Sequence, residues 1–395
     1  MQKLMILGAS YSQLPLYEAA RQLGVSTVAA STPGDWPGFA VADESVYADI
    51  TSPEAILKAA QEKEIDGIAT CCLDAGVRAL GYTCEQMGLI GPSAKSADIS
   101  NDKFKMKEAF MAGGVRCARH ICIHSLEELE EALEKLEFPV VLKAVDLMGS
   151  RGIFRCNTRE ETFFYYNKTM EATRKDYCLV EEFIEGQVLG CEAMIQNGRL
   201  LYCLPNNIEA FQSYVPTPIG HSVPYKKQNE LGKEVEHQVK LALRATGLDN
   251  CPVNCDLIEK NGKIYVIEIT GRAGGTCLPE MVSIYYGINY YEAIVRLALG
   301  MDVQEMFRDK ISGTANLSRT LLSDKDGIVK AIHNANKPAA DIVDLSFNIV
   351  PGDEVHHYTN GRDRLGQVIL RGESLAACEK RLEEILSKIN IEFTV

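Results

Sequence analysis

The first hundred residues alternate short apolar runs with amphipathic stretches. The runs LMILG, STVAAS and DGIATC each have the pattern of a buried strand, and residues 14–23 and 53–63 carry apolar side chains at helical spacing. Strands that alternate with helices are typical of parallel sheets built from βαβ units. The pattern therefore predicts a Rossmann-like domain over residues 1–97.

Beyond residue 97 the pattern changes to a mixture of strands and helices. N-capping residue types at 100–102 predict the start of a helix, and a helix, strand, turn, strand, helix and strand follow as far as residue 185. Residues 186–300 carry two strand pairs around a helix, and residues 301–395 carry short β segments with a final helix. We therefore predict an α/β and α+β protein with a small subdomain over 98–185, a larger one over 186–300 and a lid-like β/α segment over 301–395.

Composition limits the partners of such a protein. The chain has 395 residues and a formal net charge of −13, and no large cluster of Lys and Arg offsets that charge. A nucleic acid or an anionic membrane is therefore an unfavourable partner, and small molecules fit better. The sequence has no signal-peptide pattern and no run of about 18 uncharged apolar residues, so we expect a cytosolic protein. The thirteen cysteines lack CxxC spacing, which favours reduced thiols over zinc or disulfide chemistry.

The most informative segment is IYVIEITGRAGGT, residues 264–276. Strand alternation puts Glu268, Thr270 and Arg272 on one face, and the strand then ends in Gly274 and Gly275. A carboxylate and a guanidinium at this spacing suit a site that holds a divalent cation beside a phosphate oxygen. The alternative is a surface strand that carries a salt bridge.

Two lysines and a glycine turn precede this segment. Lys143 lies in the apolar strand FPVVLKAV, where a lysine is costly to bury unless it neutralises an anion such as a phosphate. Lys103 lies in the first turn of the helix NDKFKMK and can reach an anion near that helix start, and the alternative is a solvated surface lysine. The turn with Gly149, Ser150 and Gly152 can close backbone N–H groups over a phosphate, or it can be a plain hairpin.

A further strand, YCLVEEFIEG, ends in carboxylates and a glycine. Glu181 could accept a hydrogen bond from the amino group of a purine, while Phe183 and Ile184 supply apolar walls. The first loop of the chain, GASYSQ, lacks the GxGxxG spacing, so a dinucleotide-dependent dehydrogenase is disfavoured.

In combination, the segments NDKFKMKEAF, PVVLKAVDLMGSRGI, VEEFIEG and IEITGRAGGT resemble the ATP-grasp superfamily in order and spacing. The resemblance covers almost the whole chain and is strongest to the branch that contains biotin carboxylase and glycinamide ribonucleotide synthetase. It implies a two-subdomain ATP-grasp fold with Mg-ATP between the subdomains. It also implies a ligase that transfers the γ-phosphate to a carboxylate and lets an amine attack the acylphosphate, which forms a C–N bond.

The resemblance also implies roles for individual residues. Lys143 and Arg272 are the expected catalytic residues, with Arg272 on the γ-phosphate or acylphosphate, and residues 149–152 form the closing loop. The remaining expected ligands are Lys103 and Lys143 for the ATP phosphates, Glu181 and the backbone near Phe183 and Ile184 for adenine, and Asp256 and Glu268 for Mg²⁺ or Mn²⁺.

Two positions depart from the family pattern. Val188 stands where many relatives carry a glutamate for the ribose hydroxyls, so ribose binding would fall to another group such as Glu185 or Glu192. Thr270 stands where relatives usually carry an asparagine that binds the second metal ion, and a hydroxyl is a weaker ligand. An altered or catalytically silent ATP-binding protein is therefore one alternative, and a bicarbonate-activating carboxylase is another.

The metal pair also predicts a strand register. Asp256 and Glu268 must share a face to bind the same cation, which requires them to stand opposite each other and predicts a loop of three or five residues centred on Gly262. Asn254 would then stand opposite Thr270, and its side-chain oxygen could replace the missing asparagine. The alternative is a local hydrogen bond for Asn254.

Substrate contacts are harder to read from the sequence. His221, on an expected loop, could face the reaction centre, Asp74 follows the end of a parallel strand, and Glu280 follows the glycine turn. Each has a structural alternative: a local hydrogen bond for His221, a helix cap for Asp74 and a helix-end charge for Glu280. We expect small-molecule carboxylate and amine substrates, and the sequence leaves a homodimer open.

Overall fold

A computed structural model describes residues 1–147, 149, 151–211, 217–308, 313–359 and 363–394 of the chain, so Ser150 lies outside the described residues. The N-terminal part contains a parallel sheet in the strand order β3-β2-β1-β4. Its elements are β1 (Lys3–Leu7), α1 (Leu14–Gln22), β2 (Ser26–Ser31), α2 (Pro37–Val41), β3 (Glu44–Tyr47), α3 (Pro53–Lys63), β4 (Gly67–Ala69) and α4 (Val77–Met87).

The order of these strands brings two loops together. β1 lies between β2 and β4, so the loops that follow β1 and β4 leave the same sheet edge side by side. Gln13, from the first loop, donates from Nε2 to the carbonyl oxygen of Cys71 in the second, at 2.7 Å. This hydrogen bond fixes the loop after β4 relative to the loop after β1.

The second unit is a smaller antiparallel sheet in the order β5-β8-β6-β7. Asp102 caps the helix that leads into it, because its Oδ1 accepts from the N–H groups of Phe104 and Lys105. The elements are α5 (Ala94–Ser100), α6 (Lys103–Ala112), β5 (His120–Ile123), α7 (Leu126–Leu133), β6 (Val140–Ala144), β7 (Ile153–Cys156), α8 (Arg159–Ala172) and β8 (Cys178–Glu182).

The third unit is built on five long strands and the helices around them. One face of these strands packs on α9 through the buried side chains of Leu189, Cys191, Val253, Cys255 and Ile269. The elements are β9 (Gln187–Gln196), β10 (Arg199–Phe211), β11 (Thr217–Val223), α9 (Gln228–Thr246), β12 (Cys251–Lys260), β13 (Lys263–Thr270), α10 (Leu278–Tyr286), α11 (Tyr290–Ala298) and α12 (Gln304–Arg308).

The C-terminal residues complete this sheet. Strands β14, β18 and β16 extend it to eight strands in the order β13-β12-β9-β10-β11-β14-β18-β16, and β17, β15 and β19 form a separate three-stranded sheet. The elements are β14 (Ala315–Leu321), β15 (Gly327–Asn334), β16 (Ile342–Phe347), β17 (Glu354–Val355), β18 (Gly366–Gly372), α13 (Leu375–Leu386) and β19 (Ile389–Thr394). The segment expected to form a lid therefore supplies part of the large sheet.

Among the helices of the described residues, none combines the length and the apolar character that crossing a bilayer requires. The cytosolic location stays a prediction. The thirteen cysteines are all present as free thiols.

Candidate active site

The large sheet presents a polar face opposite the face that packs on α9. Because side chains alternate along a strand, Asn254, Asp256, Glu268 and Thr270 lie on the face that the buried residues of β12 and β13 leave open. The two acids are half-buried and stand directly opposite each other, and Asn254 stands opposite Thr270. The pairing predicted from the sequence is therefore confirmed.

The turn predicted for this hairpin is wrong. Lys260 pairs with Lys263, so the turn has only two residues, Asn261 and Gly262, both with positive φ. Such a turn alone would put the two acids on opposite faces. A bulge on β13, where the register shifts by one at Ile267, supplies the extra residue and returns the acids to one face.

The acid pair has the electrostatics of a cation site. Partial burial and the neighbouring charge of Glu268 raise the pKa of Asp256 to about 7. Burial alone would raise the pKa of Glu268, but Lys103, Lys143 and Arg272 lower it below its usual value. The described residues contain no group of three or more His, Cys, Asp or Glu side chains that could hold a metal ion, so the protein offers a pair of carboxylates here. That donor set fits Mg²⁺, which takes one or two carboxylates together with substrate phosphates.

Three lysines lie on the side of the site that the small sheet and its leading helix form: Lys103 and Lys107 belong to α6 and Lys143 to β6. The space between these lysines and the acid pair is called the cleft below. The ammonium groups of Lys143 and Lys107 lie 2.8 Å and 3.5 Å from the same oxygen of Glu181, Oε2. Lys103 donates to the carbonyl oxygen of Leu147 at 2.7 Å and lies 3.3 Å from Glu268 Oε2. Lys103 thus joins the small sheet to the acid pair of the large one.

Glu181 is buried, and its second carboxylate oxygen is not used. Burial alone would raise the pKa of its carboxyl, but the ammonium groups of Lys107 and Lys143 lower it, so the carboxylate is charged. Its Oε1 atom has no hydrogen-bond partner in the described part of the chain. Such a buried acceptor fits the amino group of a purine. Lys143, which was expected to neutralise a phosphate, forms an ion pair with Glu181, so its phosphate contact stays a prediction.

The strand end after Glu181 forms an apolar wall. Ile184 is buried, and the ring of Phe183 lies under the guanidinium of Arg155, 4.2 Å from the ring centre. The N–H of Phe183 donates to the carbonyl oxygen of Pro139, so this group is not available to a base. Gly149 and Gly152 both have positive φ, as expected for a glycine turn.

Arg272 is oriented by the N-terminal domain. Its Nε and Nη2 atoms each lie 2.6 Å from Asp74 Oδ1, and Nη1 donates to the carbonyl oxygen of Ala273 at 3.1 Å. The loop of Asp74 is attached directly to the glycine turn, because the N–H of Cys72 donates to the carbonyl oxygen of Ala273 at 3.0 Å. Burial tends to lower the pKa of Arg272, but Asp74 and Glu192 raise it further. Asp74 therefore contacts the expected catalytic arginine, and its role as a substrate ligand stays a prediction.

The remaining candidates lie at the edges of this cleft. His221 lies on β11 and not on a loop, and its Nδ1 is 2.9 Å from Asn206 Oδ1. The loop predicted for His221 is therefore wrong: strand β11 continues through Pro218 and Gly220, which both pair across the sheet. Glu280 accepts from the hydroxyl of Tyr291 at 2.6 Å, and burial raises its pKa.

Two residues of the site, Lys107 and Glu192, differ from what the sequence predicts. Lys107 follows Lys103 by four residues on one helix face, a signal that was available. Glu192 is fully buried and accepts from Asn254 Nδ2 at 2.8 Å and from the N–H of Gly274, and burial raises its pKa to about 8. The hypothesis that Glu192 binds ribose is therefore wrong, whereas Glu185 is exposed.

Two family models match the chain: "ATP-grasp domain" over residues 136–280 and "L-amino acid ligase C-terminal domain 2" over residues 319–394. A structure described as phosphoribosylglycinamide synthetase from Anaerococcus prevotii has 38% identity with this chain, a TM-score of 0.85 and full coverage of both chains. The chain belongs to the ATP-grasp family.

Other similarities agree with this assignment. The L-amino acid ligase from Bacillus licheniformis superposes with a TM-score of 0.85 at 20% identity, covering 100% of this chain and 99% of that one, which supports the fold. Alanine–anticapsin ligase from Bacillus subtilis is 26% identical over 59% of this chain and 54% of its own length, so the chain spans about half of that relative. The predicted mixed α/β ATP-grasp fold is confirmed, and so is the prediction of an ATP-dependent carboxylate–amine ligase that forms C–N bonds.

Proposed function

We propose that this ATP-grasp ligase activates the carboxylate of a small molecule as an acylphosphate, at the expense of ATP, and joins it to an amine. The observation that carries the proposal is the contact between Lys103 and Glu268 at 3.3 Å. It brings Lys103 of α6, which with Lys143 of β6 suits a phosphate chain, against the acid pair of the large sheet, which suits a cation. Phosphoryl transfer depends mainly on such positioning and charge neutralisation.

Each charged residue of the cleft has a separate role in binding ATP and in phosphoryl transfer. Lys103 and Lys143 bind phosphate oxygens, and Glu181 accepts from the amino group of adenine through Oε1. Asp256 and Glu268 would hold Mg²⁺, or Mn²⁺, and the bound ion would neutralise charge on the phosphates. Arg272, held by Asp74, binds the γ-phosphate and then the acylphosphate. The turn that carries Gly149 and Gly152 closes over the site and excludes water.

Amino acids are the substrate class that we favour. The C-terminal residues 319–394 match the model of an L-amino acid ligase domain, and the name of one relative gives alanine as a substrate. The same residues contribute strands β14, β16 and β18 to the large sheet, so the matched region is continuous with the sheet that bears the acid pair. The chain would act on small molecules in the cytosol, as a monomer or as a homodimer.

ADP release in the presence of Mg-ATP tests the proposal. The protein is supplied with the standard amino acids, with formate and succinate, and with bicarbonate, each with and without an added amine. We expect ADP release that requires both a carboxylate and an amine, and highest rates with amino acids. Release that depends on bicarbonate alone would favour a carboxylase, and nucleotide binding without any release would contradict the ligase. The Glu268→Gln protein serves as the inactive control.

A further inference from the structure

A row of paired residues crosses the polar face of the large sheet. Glu268 stands opposite Asp256, Asp256 opposite Gly190, and Gly190 opposite Asn206. Directly opposed residues of antiparallel strands share a face, so Asn206 lies on the face of the acid pair. With strands about 4.8 Å apart, two strand spacings separate Asn206 from Asp256, about 10 Å between backbones.

Gly190 lets the side chain of Asn206 reach toward the acids. A β-carbon at position 190 would lie only 2.7 Å from Oδ1 and 2.9 Å from Nδ2 of Asn206. The carboxamide therefore lies over Gly190, in the space that any other residue would fill. This arrangement points the Asn206 amide along the row, toward the place expected for the acylphosphate.

The Asn206 amide has an unused donor. Asn206 is 1% exposed, and its Nδ2 has no hydrogen-bond partner in the described part of the chain. A buried donor of this kind is costly unless a ligand satisfies it. An N–H donor beside a reacting acyl group stabilises the negative charge that develops on the carbonyl oxygen.

His221 is fixed beside this amide. Its Nδ1 lies 2.9 Å from Asn206 Oδ1, and its backbone N–H donates to Ser318 Oγ at 3.3 Å, which in turn donates to the carbonyl oxygen of Thr276 at 2.9 Å. Because a carboxamide oxygen only accepts, Nδ1 carries the proton and Nε2 keeps its lone pair. Burial lowers the pKa of His221 to about 4, which keeps the ring neutral at physiological pH.

We propose that Asn206 and His221 form the acyl-transfer pair of this ligase, an assignment that rests on the function proposed above. Asn206 Nδ2 donates a hydrogen bond to the acyl oxygen as the amine attacks, and His221 Nε2 accepts the proton that the amine loses. The new C–N bond forms as the bond between the acyl carbon and the phosphate oxygen breaks, and the electron pair leaves with phosphate. The pair acts only after the acylphosphate has formed.

Two measurements on the same enzyme distinguish acyl transfer to the amine from the earlier formation of the acylphosphate. With isotopically labelled ATP, scrambling of the oxygen between the β- and γ-phosphates reports acylphosphate formation, and ADP release reports the complete reaction. The carboxylate probe is a mixture of the standard amino acids, formate, succinate and bicarbonate. Asn206→Asp keeps the shape of the side chain but loses the donor, so we expect normal scrambling and ADP release about 100-fold slower. We expect His221→Gln to show the same combination of normal scrambling and slow ADP release.

Hydroxylamine distinguishes the two roles, because it attacks acyl groups without needing a base. It should restore the rate of His221→Gln and leave Asn206→Asp slow. The matched control is Asn207→Asp, the same change on the other face, where the amide is already occupied: Nδ2 donates to the carbonyl oxygens of Ser222 and Pro224, and Oδ1 accepts from the N–H of Lys226. Its transfer rate should stay within about twofold of the unchanged protein.

The outcomes that overturn the assignment are distinct from those that overturn the ligase. Scrambling and release that fall together in Asn206→Asp, or release that does not fall, would remove Asn206 from the transfer step. Nitrogen NMR of labelled histidine gives a readout without turnover, and a proton on Nε2 of His221 would exclude its role as a base. If the unchanged protein shows no carboxylate-dependent scrambling, the proposed function itself fails, and the transfer pair with it.

Discussion

The two sides of the cleft differ in how much of their charge the protein neutralises by itself. On one side, Lys107 of α6 and Lys143 of the small sheet share one oxygen of Glu181 and lower the pKa of that carboxyl. On the large sheet, Asp256 and Glu268 face each other, and partial burial with the neighbouring charge raises the pKa of Asp256 to about 7. Glu181 is stabilised by internal cations. In the acid pair the internal cations lower the pKa of Glu268, whereas Asp256 gains most from a cation that is bound from outside.

Glu268→Gln should have the largest effect, because it removes one of the two carboxylates from the pair and the partner of Lys103. We expect ADP release to fall about 1,000-fold or more, and excess Mg²⁺ should not restore it. Steady-state kinetics over a range of Mg²⁺ concentrations measure this. Glu259→Gln is the matched control, since Glu259 lies on the same hairpin but contacts Lys227 and the N–H of Gly262. A Glu268→Gln protein as active as the control would remove the acid pair from the mechanism.

The two lysines on Glu181 should separate in their effects on nucleotide binding. Lys143→Met should weaken ATP binding about 100-fold, because the proposal places its ammonium on a phosphate as well as on Glu181. Lys107 is 2% exposed and 3.5 Å from Glu181, so Lys107→Met should cost about 10-fold or less in ATP affinity. Each variant should also lose about 3 kcal/mol of folding stability, because breaking a buried ion pair is costly.

Calorimetric titration with ATP and unfolding in urea measure the two effects separately. Equal losses of ATP affinity in Lys107→Met and Lys143→Met would show that both lysines act only through Glu181. In that case the lysine side of the cleft would be a structural cluster, and Lys143 would have no direct phosphate contact.

The acid pair should leave a signature in the pH dependence of stability. In the unfolded chain Asp256 has an ordinary pKa near 3.8, and in the folded chain its pKa is about 7, so the folded state binds more protons between these values. In EDTA, the contribution of Asp256 therefore lowers stability as pH rises from about 4 to about 7. Asp256→Asn removes this loss, and we expect it to be more stable than the unchanged protein at pH 8 by on the order of 2 kcal/mol, with little difference near pH 4.

Urea unfolding at the two pH values, with EDTA and with saturating Mg²⁺, tests this behaviour. A bound cation stabilises the charged form of Asp256, so the advantage of Asp256→Asn at pH 8 should disappear or reverse with Mg²⁺. An advantage that is the same with and without Mg²⁺ would mean that the ion does not bind at this pair.

The contrast between the two sides also explains what the sequence could predict. The two acids were assigned from the family resemblance, and their register was then predictable, because two residues that bind one cation must share a face. The turn was not, because the bulge at Ile267 inserts a residue where no glycine or proline marks it. Lys143 was recognised as a lysine in an apolar strand, yet its ion pair with Glu181 joins residues 38 positions apart and depends on the pairing of β6 with β8.

The far half of the polar row was the least predictable part of the site. Asn206 lies in the run PNNIEA, where two asparagines after a proline are typical of a turn, but the strand β10 continues through them. Asn206 has room for its amide only because Gly190 lies opposite it on the neighbouring strand. The position of His221 depends on β14, which pairs with β11. These are contacts between distant segments, which local sequence patterns do not specify.

The smallest predicted effect concerns the second metal ligand. Thr270 is buried, and its hydroxyl has no partner within the described residues. Asn254 stands opposite Thr270, and its Nδ2 donates to Glu192. The side-chain oxygen of Asn254 is therefore the atom that can bind a metal ion. Asn254→Ala should therefore raise the Mg²⁺ concentration needed for half-maximal rate about threefold to tenfold. Thr270→Asn introduces the asparagine that the ATP-grasp resemblance leads us to expect at this position. In the double variant it should return the Mg²⁺ requirement close to its original value, an interaction that a double-mutant cycle measures. Asn254→Ala with an unchanged Mg²⁺ requirement, or a double variant in which the two effects simply add, would show that Asn254 makes only its hydrogen bond to Glu192 and that the acid pair binds its cation without a third protein ligand.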